Sequence, residues 1–305
     1  MTVELLQRRT CGTMDMHYQL LTTNLTYAIN QRKIKDRSLQ PTLLNISVAR
    51  TSIRIIPVVV HVVYNPNRPK QKISEAQVCS QIDVLNKDFR AKNSDIVSVP
   101  SVFKHLIADA RIEFVLATTD PQGNPSKGII YTSTTARGFA TDNSVKSAAT
   151  GGADPWPSDR YLNIWVCRLY GGILGYAQFP GGPSATDGVV ITHTAFGTIG
   201  TATAPYNLGR TTTHEIGHWL NLRHIWGEGR NSCGDSDLVD DTPNQAGPSR
   251  GKPSFPNVTC DNSPHGDLFM NYMDYSEDAA MSMFTVGQVA RMQAVLDNER
   301  ASIGI

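Results

Sequence analysis

The pattern of apolar and polar positions changes sharply near residue 51. Residues 1–50 are polar, with a basic cluster, one helical candidate around Tyr18 to Ile29, and no strong strand signal. From residue 53 the segment IRIIPVVVHVVYN is rich in β-branched residues and apolar on both faces, which predicts a central strand. Four further strands are predicted at residues 110–119, 161–167, 175–179 and 188–193.

Helical patterns alternate with these strands. Ser74 is a predicted N-cap, and the segment after it repeats apolar side chains on one face, at Val78, Ile82, Leu85 and Phe89. The last predicted helix, Thr285 to Arg300, opens with a capping box. The pattern predicts an α/β (α+β) fold with a twisted mixed five-stranded sheet, a backing helix, a helix that carries the site, and an irregular C-terminal part ending in a helix.

Composition excludes several kinds of partner. Of the 305 residues, 40% are hydrophobic and 18% are charged, which is ordinary for a globular protein. The net charge of +1 gives no overall field to attract nucleic acid or a membrane surface, and no apolar run approaches the roughly 20 residues of a spanning helix. Substrate recognition is therefore expected to be local.

The segment HEIGHWLNLRH has the residue types and spacing of a catalytic zinc site. His214 and His218 are four residues apart, so on a helix both imidazoles lie on one face and can bind one metal ion. Glu215 lies beside them, where a carboxylate can act as general base on water without binding the metal. Asn221 tolerates the left-handed conformation that ends helices, and a chain that turns back there can supply His224 as third ligand.

This segment resembles the zinc motif of the metzincin endopeptidases, H-E-x-x-H-x-x-G-x-x-H followed by a turn that contains methionine. Asn221 replaces the glycine, and with the residues around it the sequence is similar to the pappalysin family from about residue 53 to the C-terminus. The resemblance implies a metzincin-like catalytic domain with an N-terminal subdomain over residues 51–224 and a C-terminal subdomain over residues 225–305.

The resemblance also implies a secreted zinc-dependent endopeptidase, in which Glu215 activates water for attack on a peptide bond. Residues 271–275, NYMDY, resemble the methionine turn. Met273 would form an apolar floor beneath the imidazoles, and Tyr275 would donate to the oxyanion. The alternative is a zinc-stabilised non-catalytic binding or adhesion module, whose expected signature is loss of the glutamate that this sequence retains.

Two further alternatives concern the metal ligands. A helix end rich in histidine need not bind a metal, although ligand types, spacing and helix stop all favour a site. A zinc peptidase of the thermolysin type takes a glutamate from a later helix as third ligand. Glu277 is the nearest downstream candidate, but it follows a turn and His224 is better placed.

Two segments are candidates for substrate binding. Gly175, Tyr176 and Ala177 lie in a short strand flanked by glycines, which could bind an extended peptide by strand addition; a glycine-rich bulge or hairpin is the alternative. Glu277 and Asp278 follow the methionine turn, where related enzymes build the pocket for the residue after the scissile bond. The resemblance therefore implies a preference for Arg or Lys there, and two exposed loop acids are the alternative.

An acidic run follows the zinc motif and places four carboxylates within seven residues, at Asp235, Asp237, Asp240 and Asp241. Like charges this close favour a hard cation with oxygen ligands. With Thr242 they form a candidate structural calcium site, which the family resemblance supports. A solvated acidic loop is the alternative.

The five cysteines bear on the cellular location. Cys233 and Cys260 bracket a loop with little means of packing itself, where a disulfide would stabilise most usefully. Cys79 and Cys167 are expected to be buried free thiols, with a second disulfide as the alternative. The N-terminus lacks the apolar core of a signal peptide, so either the chain is cytosolic or a signal has been removed; the expected disulfide favours an exported protein.

Residues 1–50 are interpreted as an inhibitory pro-segment, with a flexible tail as the alternative. The residues RRTCGTMD around Cys11 resemble the cysteine-switch segments of metzincin zymogens, in which a thiolate takes the fourth zinc position. The resemblance implies that Cys11 binds zinc in a latent form. If the pocket prefers a basic residue after the cut, the bond between Ala49 and Arg50 is a natural self-processing site.

Overall fold

A six-stranded sheet forms the centre of the molecule, for which a computed structural model describes residues 9–38, 52–229 and 232–304. The strands, in chain order, are β1 Arg54–Tyr64, β2 Ile112–Leu116, β3 Ile129–Ser133, β4 Leu162–Cys167, β5 Gly175–Ala177 and β6 Val189–Thr192. The strand order is β2-β1-β4-β6-β5, and β3 also pairs with β1.

The sheet is parallel except at the edge formed by β5, which runs antiparallel to β6. β2 pairs with residues 54–58 of β1 and β3 pairs with residues 60–64, so these two short strands share one side of β1 and the sheet is five positions wide. The predicted mixed sheet is confirmed. The sequence did not reveal β3, because every residue of that strand is at least partly exposed and no apolar face marks it.

The described helices are α1 Thr13–Thr23, α2 Leu25–Ser38, α3 Glu75–Asp88, α4 Arg210–Trp219 and α5 Val286–Asp297. The predicted cap of α3 is confirmed, since the Ser74 hydroxyl accepts a hydrogen bond from the Gln77 amide at 3.1 Å. The capping box of α5 is also present, formed by Thr285 and Gln288.

The N-terminal helical candidate consists of two helices instead of one. Asn24 interrupts them with extended backbone angles, φ −131° and ψ 99°. Its side-chain oxygen accepts a hydrogen bond from the Tyr27 amide at 2.9 Å, which satisfies a free donor in the first turn of α2. The sequence indicated the helical segment but not the break.

Three helices pack against the sheet around the main core. Buried side chains of β1, α3, α4 and α5 share one cluster, for example Val58, Leu85, Ile216 and Leu296. Every residue of α4 is buried. The helix that carries the zinc motif is therefore packed on all sides, and this packing limits the movement of its side chains at the site.

The irregular C-terminal part is cross-linked as predicted. A disulfide joins Cys233 to Cys260, with 5.8 Å between their Cα atoms. Cys79 and Cys167 are free thiols, and Cys167 is buried, but Cys79 is exposed; the prediction of a buried Cys79 is wrong, because this position faces outward from α3. Among the described residues, no helix is long and apolar enough to cross a membrane.

Candidate active site

Three histidines converge at the end of α4. His214 and His218 are one turn apart, and their Nε2 atoms lie 3.1 Å from each other. Asn221 follows the helix with φ +73°, the left-handed conformation of a helix stop. The chain then turns back and places Nε2 of His224 3.2 Å from that of His218. The structure thus brings the three predicted ligands together.

This spacing fits a single zinc ion. Nitrogens at the usual distance from a tetrahedral zinc lie about 3.4 Å apart, close to the observed separations. Nδ1 of His214 donates to the Tyr272 carbonyl and Nδ1 of His218 to the Leu222 carbonyl, both at 2.7 Å, so each Nε2 is left free to bind. Glu277, the alternative third ligand, is not part of the cluster found in the described chain.

The electrostatics of the cluster also favour metal binding. Burial lowers the pKa of all three histidines, and the neighbouring imidazoles lower the pKa of His214 further. The rings are therefore neutral near pH 7. Neutral imidazoles with a free Nε2 lone pair are the form that binds zinc.

The third imidazole is held by contacts that the sequence did not reveal. Nδ1 of His224 lies 3.2 Å from both carboxylate oxygens of Glu228. The ring of Trp226 stacks on the imidazole, with 4.4 Å between centroids and 6° between planes. Tyr275 meets the same imidazole edge-on at 4.9 Å. The four-residue spacing of His224 and Glu228 is the only feature of the sequence that could have indicated this pair.

Met273 packs beneath the histidine-bearing helix. Its side chain is fully buried, and a Cβ atom at Gly217 would lie only 2.4 Å from its Sδ atom. Glycine at this position of α4 therefore allows the close packing of the thioether. The ring of Tyr275 lies 5.8 Å from that of His214, and its hydroxyl accepts a hydrogen bond from the Cys11 amide at 3.2 Å.

Glu215 is buried beside the histidines and contacts two side chains of the N-terminal segment. Its Oε2 accepts hydrogen bonds from the Thr13 hydroxyl at 2.9 Å and from the Cys11 thiol at 3.3 Å. Burial raises the pKa of Glu215 to about 7, while the two hydrogen bonds lower it. The ligand atoms of Cys11 and the three histidines lie within 4.8 Å of one another, so the thiol faces the cluster.

The segment around Cys11 is added to the sheet edge at β5. Cys11 forms a parallel bridge with Gly175, and the Gly12 amide donates to the Gly175 carbonyl at 2.9 Å. The Leu174 amide donates to the Thr10 carbonyl, also at 2.9 Å. This edge therefore holds an extended segment through backbone hydrogen bonds.

Two further contacts show how closely β5 approaches the glutamate. The Ala177 amide donates to the Thr13 hydroxyl oxygen at 2.8 Å. A Cβ atom at Gly175 would lie 2.8 Å from Cγ of Glu215, so the strand requires glycine there. The Tyr176 side chain is fully buried, so this residue offers its backbone and not its ring to the cleft.

A buried pocket next to the methionine turn holds a basic side chain. Nη2 of Arg9 lies 2.5 Å from Oδ1 of Asp278, and Nε of Arg9 donates to the Ser276 carbonyl at 3.1 Å. The guanidinium also lies 5.0 Å from the centroid of the Tyr206 ring. Of the two predicted pocket acids, Asp278 meets the cation, whereas Glu277 is partly exposed.

The predicted calcium ligands do not converge. Asp235 accepts from three backbone amides, and Asp241 accepts from groups at the start of α5. Asp237 is buried and accepts from the Thr242 hydroxyl at 2.9 Å, while Asp240 is exposed. In the described ranges the only metal-binding constellation of this kind is the one at the histidines. Calcium binding stays a prediction.

A helix-borne histidine pair, a third histidine after a left-handed turn, a buried glutamate and an underlying methionine define a zinc metalloprotease. A family model described as pregnancy-associated plasma protein-A matches residues 146–297. The chain belongs to the pappalysin family of metalloproteases. This finding favours the enzyme over the non-catalytic module considered from the sequence.

Comparisons of sequence and fold agree with this membership. An extracellular metalloprotease of Pyricularia oryzae is 35% identical over 83% of this chain and 78% of its own length. Mature mirolysin of Tannerella forsythia, solved in complex with a cleaved peptide, is 50% identical, with a TM-score of 0.81 over 84% of this chain and 97% of that chain. A promirolysin mutant of the same organism is 46% identical, with a TM-score of 0.85 over 96% and 95%.

Proposed function

We propose that this chain is a secreted zinc endopeptidase made as a latent zymogen, with Glu215 as its general base. The observation that carries the proposal is the convergence of three buried imidazoles beside this glutamate, next to a sheet edge that holds an extended segment. Bound zinc supplies Lewis acidity and lowers the pKa of water towards about 7. The residues that would hold it are His214, His218 and His224.

The protein's own groups then bind the peptide and move protons. Backbone groups of residues 175–177 hold the substrate extended. The Glu215 carboxylate takes a proton from the attacking water and passes it to the leaving amine. The Tyr275 hydroxyl donates to the oxyanion that develops on the peptide carbonyl. Met273 packs below the imidazoles and limits their movement.

Latency is proposed to rest on direct contacts of the pro-segment, residues 1–50, with these groups. The Cys11 thiol faces the histidines and would supply a fourth zinc ligand as thiolate. The Thr13 hydroxyl binds Glu215, which keeps the base occupied. The proposed catalytic subdomains are residues 51–224 and 225–305. The proposed processing site, Ala49–Arg50, lies outside the described residues.

Specificity for Arg or Lys after the scissile bond is proposed from the Asp278 pocket. The support for this proposal is that Asp278 already pairs with a buried guanidinium, that of Arg9, as it would with a long basic side chain of a substrate. Without a cation the buried carboxylate would be left uncompensated, which is costly. A basic substrate residue would restore the pair once the pro-segment has left.

The proposed location and partners follow from the same findings. Relatives of this chain are named extracellular metalloproteases, which together with the disulfide supports export. The partners are protein and peptide substrates and the protein's own pro-segment as inhibitor. In addition to the zinc, a structural calcium ion is proposed in the acidic loop.

Casein cleavage by the processed enzyme tests the catalytic assignment. Because inactive variants are not expected to process themselves, their pro-segment is removed in trans by tagged unaltered enzyme, which is then withdrawn. Glu215→Ala should keep its zinc by elemental analysis and lose about 10²- to 10⁴-fold in turnover, because only the proton transfer is removed. His218→Ala should lose both zinc and turnover. Substantial peptidase activity in zinc-loaded Glu215→Ala would end the assignment of this residue as the base.

A further inference from the structure

A chain of contacts runs from the cross-linked acidic loop to the third histidine. The Glu228 carboxylate contacts Nδ1 of His224 at 3.2 Å. Oδ2 of Asp235 in turn accepts hydrogen bonds from the Glu228 amide at 2.8 Å and from the Gly229 amide at 2.5 Å. We infer that Glu228 is a positioning residue for His224, and that Asp235 fixes the turn from which Glu228 reaches it.

His224 needs such support more than the other two ligands. His214 and His218 project from a fully buried helix, and backbone carbonyls accept from their Nδ1 atoms. His224 follows the left-handed turn at Asn221 and lies outside any helix. Its Nδ1 partner is a side chain, so the orientation of this ring depends on whether that side chain is held.

The stacking partner of His224 cannot replace Glu228. Trp226 lies nearly parallel to the imidazole, which prevents the ring from tilting. Rotation within the ring plane stays possible, and this rotation moves Nε2 away from the other two nitrogens. A carboxylate at Nδ1 blocks that rotation, fixes the proton on Nδ1 and makes Nε2 more basic.

Asp235 is built into the turn that carries Glu228. Gly227 has φ +71°, and a Cβ atom there would lie 2.8 Å from Cγ of Asp235, so the backbone wraps closely around this carboxylate. Two residues earlier, Cys233 forms the disulfide to Cys260. Asp235 therefore links the cross-linked loop to the turn that carries Glu228 and holds that turn in place. This role does not require a cation in the loop.

The inference rests on the proposed zinc ligands, and zinc affinity tests it without any need for peptidase activity. The full chain should carry Cys11→Ala and Glu215→Ala, so that the histidines alone hold the metal and no processing occurs. In this background, competition with a chromogenic chelator gives the zinc dissociation constants of Glu228→Ala, Glu228→Gln and Asp235→Ala. Asp261→Ala, which removes an exposed acid directly after Cys260, is the matched control.

We expect Glu228→Ala to weaken zinc binding about 10- to 100-fold, the usual effect of losing an outer partner of a metal-bound histidine. Glu228→Gln should retain more affinity because its amide oxygen still accepts from Nδ1. Asp235→Ala should also weaken binding, and Asp261→Ala should not. The melting temperature of the zinc-free protein should be unchanged in the two Glu228 variants and in Asp261→Ala, which separates positioning of His224 from a loss of folding.

Unchanged zinc affinity in Glu228→Ala would overturn the inference, and so would equal losses in Glu228→Ala and Glu228→Gln. A matching fall in the melting temperature of the zinc-free protein would overturn it as well, since the residue would then be structural. His224→Ala distinguishes the two levels. If it binds zinc normally, the proposed ligand set fails; if it loses zinc while Glu228→Ala does not, only the inference fails.

Discussion

Arg9 and Asp278 form an ion pair in which both side chains are almost fully removed from water, with exposed fractions of 1% and 0%. Two backbone amides, those of Leu208 and Arg210, also donate to the other oxygen of this carboxylate, at 2.8 and 3.3 Å. The acid is thus fixed in place before a cation arrives. A fixed buried charge of this kind selects its partner more by the cost of leaving it unpaired than by attraction.

Asp278→Asn in the processed enzyme should therefore lower kcat/KM for substrates with Arg after the cut by about 30-fold or more, which corresponds to about 2 kcal/mol for a broken buried pair. Substrates with an apolar residue there should be affected much less. Cleavage-site profiling on a peptide library measures both effects. Glu277→Gln, the same loss of charge one residue earlier, is the control, and an apolar consensus in the unaltered enzyme would contradict the proposed pocket.

Single residues also show where sequence interpretation succeeds. The histidines and Asn221 could be identified because ligand type, four-residue spacing and helix stop lie within eleven neighbouring positions. Arg9 and Thr13 act on partners 269 and 202 positions away. No local pattern encodes such contacts, so only the folded chain shows that these residues reach Asp278 and Glu215.

Among the helices and strands, those with a clear apolar face could be predicted from the sequence. β1 and α3 bury strongly apolar faces and were found near their actual bounds. β3 was missed because it has no apolar face, and the break at Asn24 was missed because a single residue makes it. Elements held mainly by neighbouring backbone leave a weaker signal in the sequence than elements held by their own side chains.

The acidic loop offers a test at the scale of one element. Burial raises the pKa of Asp237 to about 7, and its hydrogen bonds come from Val239 and Thr242 instead of a cationic side chain. If calcium binds this loop, a calcium-selective chelator should lower the melting temperature and the activity while zinc is kept saturating, and added calcium should restore both. An unchanged melting curve would leave the loop merely solvated.

At the scale of the whole molecule, the N-terminal segment contacts the rest of the protein in two separate regions. The strand-like residues around Cys11 fill the cleft, and α2 docks beyond it. In that second contact Asn30 donates to the Gly181 carbonyl at 2.9 Å, Gln31 donates to the Pro180 carbonyl at 2.6 Å, and Arg37 pairs with Glu299. The proposed latency would therefore rest on several contacts.

Removing the thiol should consequently weaken latency without abolishing it. Cys11→Ala should give a precursor that shows activity or cuts itself during purification, and adding Thr13→Val should speed processing, because Glu215 then loses both of its pro-segment partners. Processing is followed by gel electrophoresis over time. Thr23→Val is the isosteric control, since its hydroxyl bonds only within α1.

The Glu215→Ala precursor should stay intact. This result would show that the cut depends on the protein's own activity. A Cys11→Ala, Thr13→Val precursor that remains whole and inert would contradict the proposed latency contacts at the metal site. The remaining candidates would then be the Arg9 pair and the docking of α2.

The direction of the segment in the cleft has a consequence for activation kinetics. Arg9 precedes Cys11 in the chain, yet it fills the pocket proposed for the residue after the cut, so the segment runs opposite to the proposed substrate. An intact molecule cannot present another bond to a cleft that its own chain fills, so each precursor has to be cut by a second molecule whose cleft is already open. Activation should then be bimolecular, with a lag that shortens on raising the protein concentration or seeding with mature enzyme. A half-time that is independent of dilution would mean that the segment leaves the cleft before it is cut.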